Sequence, residues 1–301
     1  MDFGTLMALL AALFFGSAQF VNGSISAWTS GVAVARWNIC SAALITGVIV
    51  AVIRPGVSFT GALWAVVAGV GGALSAAALY RSLEQGELSV AIPLCTITSV
   101  IIPVGVGLFF LSEPLKMATG LGLAAAIGAI LLVTRSRPER TRVTAQAVSV
   151  RRAGPGAAPA QRKPTSHVLR VIGLPLPAGV GVAIELVGIS RFPQENFLSL
   201  LWASFFVGAM IMLLIKTPSR PPMRPRHKVM VLFSGALTAT GMTLFYTASI
   251  HIGLSLAGII IGLYPVIPIL LAILFLGERP HTLRVLGLAL SGAAVLIIGG
   301  A

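Results

Sequence analysis

Glu185 is the residue in this chain best placed by type and surroundings to do chemistry. It stands in Val182-Ala183-Ile184-Glu185-Leu186-Val187 and is the one acidic side chain well inside an apolar run. A charge at the centre of a membrane helix costs roughly 3 kcal/mol on insertion scales, so an acidic group there is a functional candidate by default. Two readings stand side by side. Glu185 binds a cationic or amine solute, or carries a proton, during a transport cycle. Alternatively it lies about two turns from a membrane boundary, near Arg191, and reaches headgroup water.

Arg36, in Val34-Ala35-Arg36-Trp37-Asn38, is the cationic counterpart. It follows the start of its apolar run at Gly31 by five residues, about 7–8 Å along a helix. That is shallow enough to snorkel beside Trp37, and contact with a substrate carboxylate is the other reading. Nothing in the spacing pairs Arg36 with Glu185. Gln19 and Asn22 on the first run, Thr96 and Thr98 on the fourth, and Tyr80, Tyr246 and Tyr264 add hydrogen-bonding capacity. Singly, each is equally a packing residue or an interface aromatic; together they map a substrate cavity.

Glu113 and Glu278 have a different setting. Each closes an apolar run, with Pro114 or Pro280 beside it, as residues at helix starts do. A carboxylate there complements the positive end of a helix, so both are assigned a structural role. Cys40 and Cys95 fall inside apolar runs without a CxxC spacing, which suggests small core residues rather than a metal or redox site. His251 is placed in a loop with no role. No Walker loop, HExxH or GxSxG is present, and the four His are scattered, so neither an enzyme nor a cofactor is expected.

Positioning these residues falls to helices in a bilayer. Charged residues make up 10% of the 301 and hydrophobic ones 56%, with mean hydropathy +0.98. A soluble chain needs about a quarter charged residues to cover its surface. Apolar runs long enough to cross roughly 30 Å of hydrocarbon recur throughout. The net charge of +13 does not imply nucleic acid, because the Lys and Arg lie between apolar runs with no interleaved aromatics. The start, Met1-Asp2-Phe3-Gly4, lacks the basic region of a cleaved signal, so the first run is expected to be a retained helix.

Ten transmembrane helices are expected, in an all-α fold. The first five cover 5–21, 31–53, 61–80, 88–111 and 117–133; the second five cover 168–189, 197–215, 229–250, 254–276 and 283–299. Residues 1–133 and 168–301 form two five-helix units. The segment 134–167, rich in Arg, Ala, Pro and Gly, is expected to be a basic, disordered linker. The units repeat one another. Tyr80, Leu88-Ser89-Val90-Ala91, Pro103, Glu113 and Gly122-Leu123-Ala124 return as Tyr246, Leu254-Ser255-Leu256-Ala257, Pro268, Glu278 and Gly287-Leu288-Ala289, at an offset of 166 that becomes 165. An odd number of spans per unit inverts the second, an arrangement in which substrate sites lie between the halves near the midplane. Pro93 and Pro103, like Pro265 and Pro268, free backbone carbonyls, and in lipid such backbone must face protein or a wet cavity. Gly69, Gly71, Gly72, Ser75 and Ala76 make a small-residue face for close helix packing.

Basic residues give an orientation. With the first residue outside, inner connections hold Arg81, nine residues from Arg135 to Arg170, five from Lys216 to Lys228, and Arg279 with Arg284, while the outer ones hold Arg54, Lys116 and Arg191. The positive-inside rule then puts both termini outside and the linker in the cytoplasm.

The stretch Gly262-Leu263-Tyr264-Pro265-Val266-Ile267-Pro268, continued by Leu276-Gly277-Glu278-Arg279 and Val285-Leu286-Gly287-Leu288-Ala289, resembles the EamA-type repeat of the drug/metabolite transporter (DMT) superfamily. Ser99-Val100-Ile101-Ile102-Pro103 with Leu111-Ser112-Glu113-Pro114 repeats it. Phe15-Gly16-Ser17-Ala18-Gln19-Phe20-Val21-Asn22-Gly23 resembles the first helix of a bacterial branch that usually carries an acidic residue where Gln19 stands. The resemblance implies a ten-helix permease of the cell (inner) membrane, and nothing about its substrate. Many such proteins have both termini cytoplasmic, opposite to the charge count here. The expectation is a secondary carrier, exporting metabolites or amino acids by alternating access with proton coupling open. The alternative is a non-transporting multi-pass protein, an assembly partner or a sensor.

Overall fold

The computed structural model describes residues 2–26, 28–84, 88–114, 117–135, 173, 175–217, 223–276 and 282–299. The described residues are helical, with short connections and no strand among them. In hydrocarbon, backbone groups cannot turn to water, so each apolar run satisfies its own N–H and C=O groups by coiling. The helices are α1 (Phe3–Ser26), α2 (Gly31–Ile53), α3 (Phe59–Glu84), α4 (Leu88–Phe110) and α5 (Met117–Arg135). They continue as α6 (Pro175–Ser190), α7 (Phe197–Leu214), α8 (Pro225–Ile261), α9 (Val266–Leu276) and α10 (Thr282–Gly299). Among the described residues, five segments are long and apolar enough to cross a membrane: Phe3–Ser26, Gly31–Ile53, Phe59–Ser82, Gln194–Leu214 and Pro225–Ile261. Most of the linker, and Glu278, lie outside the described residues.

Side chains are distributed as lipid solvent demands. Phe59, Phe109, Phe110 and Leu214 point outward, each more than 80% exposed. The interior is rich in small residues, among them Ala8, Ala11, Ala42, Ala65, Ala68 and Ala73. Small side chains let helix backbones approach closely, which is how helices associate when both sides of the interface are equally apolar. The third helix carries this furthest. A Cβ on Gly71 would lie 2.7 Å from both the Glu185 backbone nitrogen and the Gly181 carbonyl oxygen. Only a residue without a side chain allows α3 and α6 to meet there.

The spans expected at 229–250 and 254–276 are divided at Gly253, and the second is interrupted once more further on. Element α8 consists of two helical pieces on either side of Gly253, whose φ 83 and ψ 164 are not helical, and the second piece ends at Ile261. A turn over 262–265, held by the Gly262, Leu263 and Tyr264 N–H groups, then leads into α9. The break expected before Leu254 therefore falls at Gly253, and the proline-bearing turn bends the following span again. His251, expected in a loop, lies on α8. Its ring stands edge-on to Phe3 at 5.0 Å, with Nδ1 2.8 Å from the Thr247 carbonyl oxygen.

Packing crosses between the halves. Helix α1 lies along α8, α6 along α3 and α4, α2 against α7, and α5 against α10. Seven elements (α1, α2, α3, α6, α7, α8 and the turn before α9) thereby surround one central space.

Candidate functional site

That space is a cavity of about 80 Å3, counted as volume open to the centre of a water molecule. One water needs about 10–15 Å3 on this measure, so the cavity holds several waters or a small solute. Its wall joins Phe15, Gln19 and Asn22 of α1, Asn38 of α2, Ser75 and Tyr80 of α3, and Glu185 of α6. Ser204 and Phe205 of α7, Thr238 of α8 and Tyr264 complete it.

Glu185 is the acidic member of this wall, and no basic residue lines it among the described residues. Among those residues, too, its carboxyl accepts no hydrogen bond and joins no ion pair. Its space comes from the small-residue face of α3: a Cβ on Gly72 would sit 2.9 Å from one carboxyl oxygen and 3.1 Å from the other. Arg191, the nearby cation in sequence, stands over the Trp64 ring at 6.0 Å instead. Gln19 also makes no hydrogen bond among the described residues. It precedes Glu185 by 166 positions, the same offset that relates Tyr80 to Tyr246. Gln19 and Glu185 thus meet at one cavity, one as an amide and the other as an acid.

The remaining wall is internally bonded. Asn38 donates from Nδ2 to Ser234 Oγ at 2.9 Å, and Ser234 donates to Asn22 Oδ1 at 2.8 Å. Thr238 donates to the Ser234 carbonyl at 3.0 Å. This chain ties α1, α2 and α8 together and holds the Asn22 and Asn38 amides at the cavity edge. Tyr80 lies beside Ser26 and Tyr264 beside Thr96, while Phe15 meets Tyr264 edge-on at 5.1 Å.

Four sequence candidates fall elsewhere. Thr96 is fully buried behind Tyr264. Thr98 returns its hydroxyl to the Leu94 carbonyl at 2.8 Å, a local bond within α4. Tyr246 stacks on Phe197 at 3.9 Å and donates to the Phe192 carbonyl at 2.9 Å, fastening α8 to the α6–α7 connection. Arg36 donates from Nε to the Met212 carbonyl at 3.0 Å and from its terminal nitrogen to the Ile215 carbonyl. It thereby satisfies the open carbonyls at the end of α7, where a cation also suits the helix dipole.

Glu113 is a helix-start residue, but not of the helix that follows it in sequence. Its carboxylate accepts the Leu254 N–H at 2.6 Å and the Ser255 N–H at 2.9 Å, just past the kink at Gly253. It caps the resumed helix of the other half.

The sequence alone does not single out Asn38, Ser75, Ser204 or Thr238 as cavity residues. Small polar residues on membrane helices read as packing positions, and only the repeat offset, carried from Glu185 to Gln19, points to the shared cavity.

Helices long enough for a bilayer, an apolar exterior and a polar central cavity define a multi-pass membrane protein of transporter type. Residues 171–300 match the EamA-like transporter family, which supports membership of the drug/metabolite transporter superfamily. A crystal structure described only as that of a protein superposes over 98% of each chain with TM-score 0.69 at 15% identity, a likeness of fold. Comparison with curated proteins gives no match.

Proposed function

We propose that this chain is a secondary carrier for a small polar solute bearing an amine or other cationic group, working by alternating access between two inverted five-helix halves. The observation that carries this reading is Glu185, a carboxyl without a partner among the described residues, opening on a cavity large enough for several waters whose described wall has no basic side chain. A cationic solute or a proton supplies the missing partner; an anionic solute would meet repulsion. Ten spans fit the described helical segments, with the part of α8 before Gly253 as the eighth and the part after it joined to α9 as the ninth. The exchanged packing (α1 with α8, α6 with α3) supports an approximate two-fold relation. On this reading Gln19, Asn22, Tyr80 and Tyr264 contact the solute with Glu185, while Arg36, Thr96, Thr98 and Tyr246 support the walls.

The same frame supports the expected orientation. Lys216 and Arg224 flank the end of the bundle where α7 finishes and α8 begins, beside the start of α2. Arg54 and Arg191 follow the far ends of α2 and α6. A reporter active only in the cytoplasm is expected to be on at Ala157 and off after Ala301; the reverse pattern contradicts the orientation.

The functional test is counterflow in proteoliposomes with a panel of radiolabelled amines, amino acids and organic anions. Uptake of at least one cationic or amine-bearing solute, lost in Glu185→Gln, supports the proposal. Flux of anions alone, or wild-type flux in that variant, would overturn it.

A further inference from the structure

A second concave site lies on the outer, lipid-facing side of the bundle, between α2 and α8. It is an apolar trough of about 250 Å3 walled by Trp37 and Leu44 on one helix and Lys228, Val229 and Leu232 on the other. Trp37 and Leu44 are seven residues apart and share a face of α2, so the trough runs about 10 Å along the helix. Leu44 and Val229 are 62% and 67% exposed, which leaves the trough open sideways to hydrocarbon.

One end of the trough is cationic. The Lys228 ammonium stands 5.4 Å from the Trp37 ring. Arg224, the residue that leads into α8, lies one turn before Lys228, and its carbonyl oxygen accepts the Lys228 N–H at 3.2 Å. Arg224, Arg226 and Lys228 gather around the opening turn of α8, which carries no acidic residue. The start of a helix is already positive and favours anions, so three cations there are electrostatically opposed unless an anion joins them. Among the described residues none of the three has a carboxylate partner.

We propose that this trough binds one anionic phospholipid, its phosphate between Arg224 and Lys228 and an acyl chain against Leu44 and Leu232. An apolar trough open to the bilayer suits a chain that a free phosphate lacks. A zwitterionic headgroup would bring its own ammonium beside the three cations. Trp37 sits where indoles favour the boundary between headgroup and hydrocarbon. The site is separate from the central cavity and does not rest on the transport reading.

The test is native mass spectrometry of the full chain released from nanodiscs of phosphatidylglycerol and phosphatidylcholine in equal amounts. One retained phosphatidylglycerol is expected, with its preference falling roughly fivefold for each of Arg224→Gln and Lys228→Gln. Val229→Trp, which fills the trough, should lower retention of that lipid, while Arg54→Gln at the opposite end of α2 should leave it unchanged. Circular dichroism identifies any variant that fails to fold, and Arg224→Lys then serves as the conservative check, keeping most of the preference. Equal retention of the two lipids by the wild type, an equal loss in Arg54→Gln, or displacement by excess inorganic phosphate would overturn the proposal.

Discussion

Glu185 and Glu113 are the same side chain in opposite circumstances. Glu113, at the end of α4, has both carboxylate oxygens occupied by backbone N–H groups of α8. Glu185, on α6, has a cavity in front of it, a glycine behind it, and no partner among the described residues. The difference separates two uses of a costly group. A carboxylate saturated by fixed donors holds the fold and has no capacity left for a ligand. One left open in a wet space is useful only through what arrives to meet it.

The largest expected effect comes from altering the acid at the two places. Glu185→Gln should insert normally, because an intramembrane charge is removed, and should lose flux or its dependence on pH. Its thermal unfolding in detergent should stay close to wild type. Glu113→Ala should do the reverse. It removes a charged acceptor from two N–H groups, at about 1.5–3 kcal/mol for each such bond, and so lowers stability well before it touches substrate affinity. Comparable flux loss in the two variants at equal stability would erase the distinction.

Gly71 and Gly72 sharpen it next. Alanine at 71 meets backbone of α6 at 2.7 Å, which cannot move aside, so Gly71→Ala should cost about 1–3 kcal/mol in detergent unfolding. Alanine at 72 meets the flexible carboxyl end of Glu185, which can turn away. Gly72→Ala should therefore change apparent substrate affinity more than stability. Equal stability losses would mean that Glu185 is packed rather than poised.

The smallest effect belongs to Tyr246→Phe. It keeps the stack on Phe197 and deletes one hydroxyl bond to the Phe192 carbonyl, about 0.5–1.5 kcal/mol, and flux should be unchanged. A tenfold change in substrate affinity would return Tyr246 to the binding site.

Glu185 is legible in the sequence because an acid inside an apolar run stands out whatever surrounds it. The same holds for the amide of Gln19, and the offset of 166 between them is the offset of the repeat itself. Tyr246 is not separable from Tyr80 and Tyr264 by pattern, since a tyrosine near the end of a span serves cavity and boundary equally. His251 reads as a loop residue because Gly253 interrupts the apolar pattern, yet the backbone keeps its helical course up to that glycine. Glu113 carries the signature of a helix start, but its helix is 141 residues away, beyond any local signal. Asn38 and Thr238 leave no mark in the sequence because their importance lies in a chain of hydrogen bonds through Ser234, which only the packed helices create.

The cap at Gly253 also has a timetable. Chains grow at about 5–20 residues per second, so roughly 7–30 s separate the synthesis of Glu113 from that of Leu254 and Ser255, 141 and 142 residues later. Throughout that interval the carboxylate has none of its final donors, while the helices before it are already entering lipid. Water or headgroups at the end of α4 must solvate it until α8 is made. The first half is therefore an assembly intermediate with one polar end still open, and the arrival of the second half closes it.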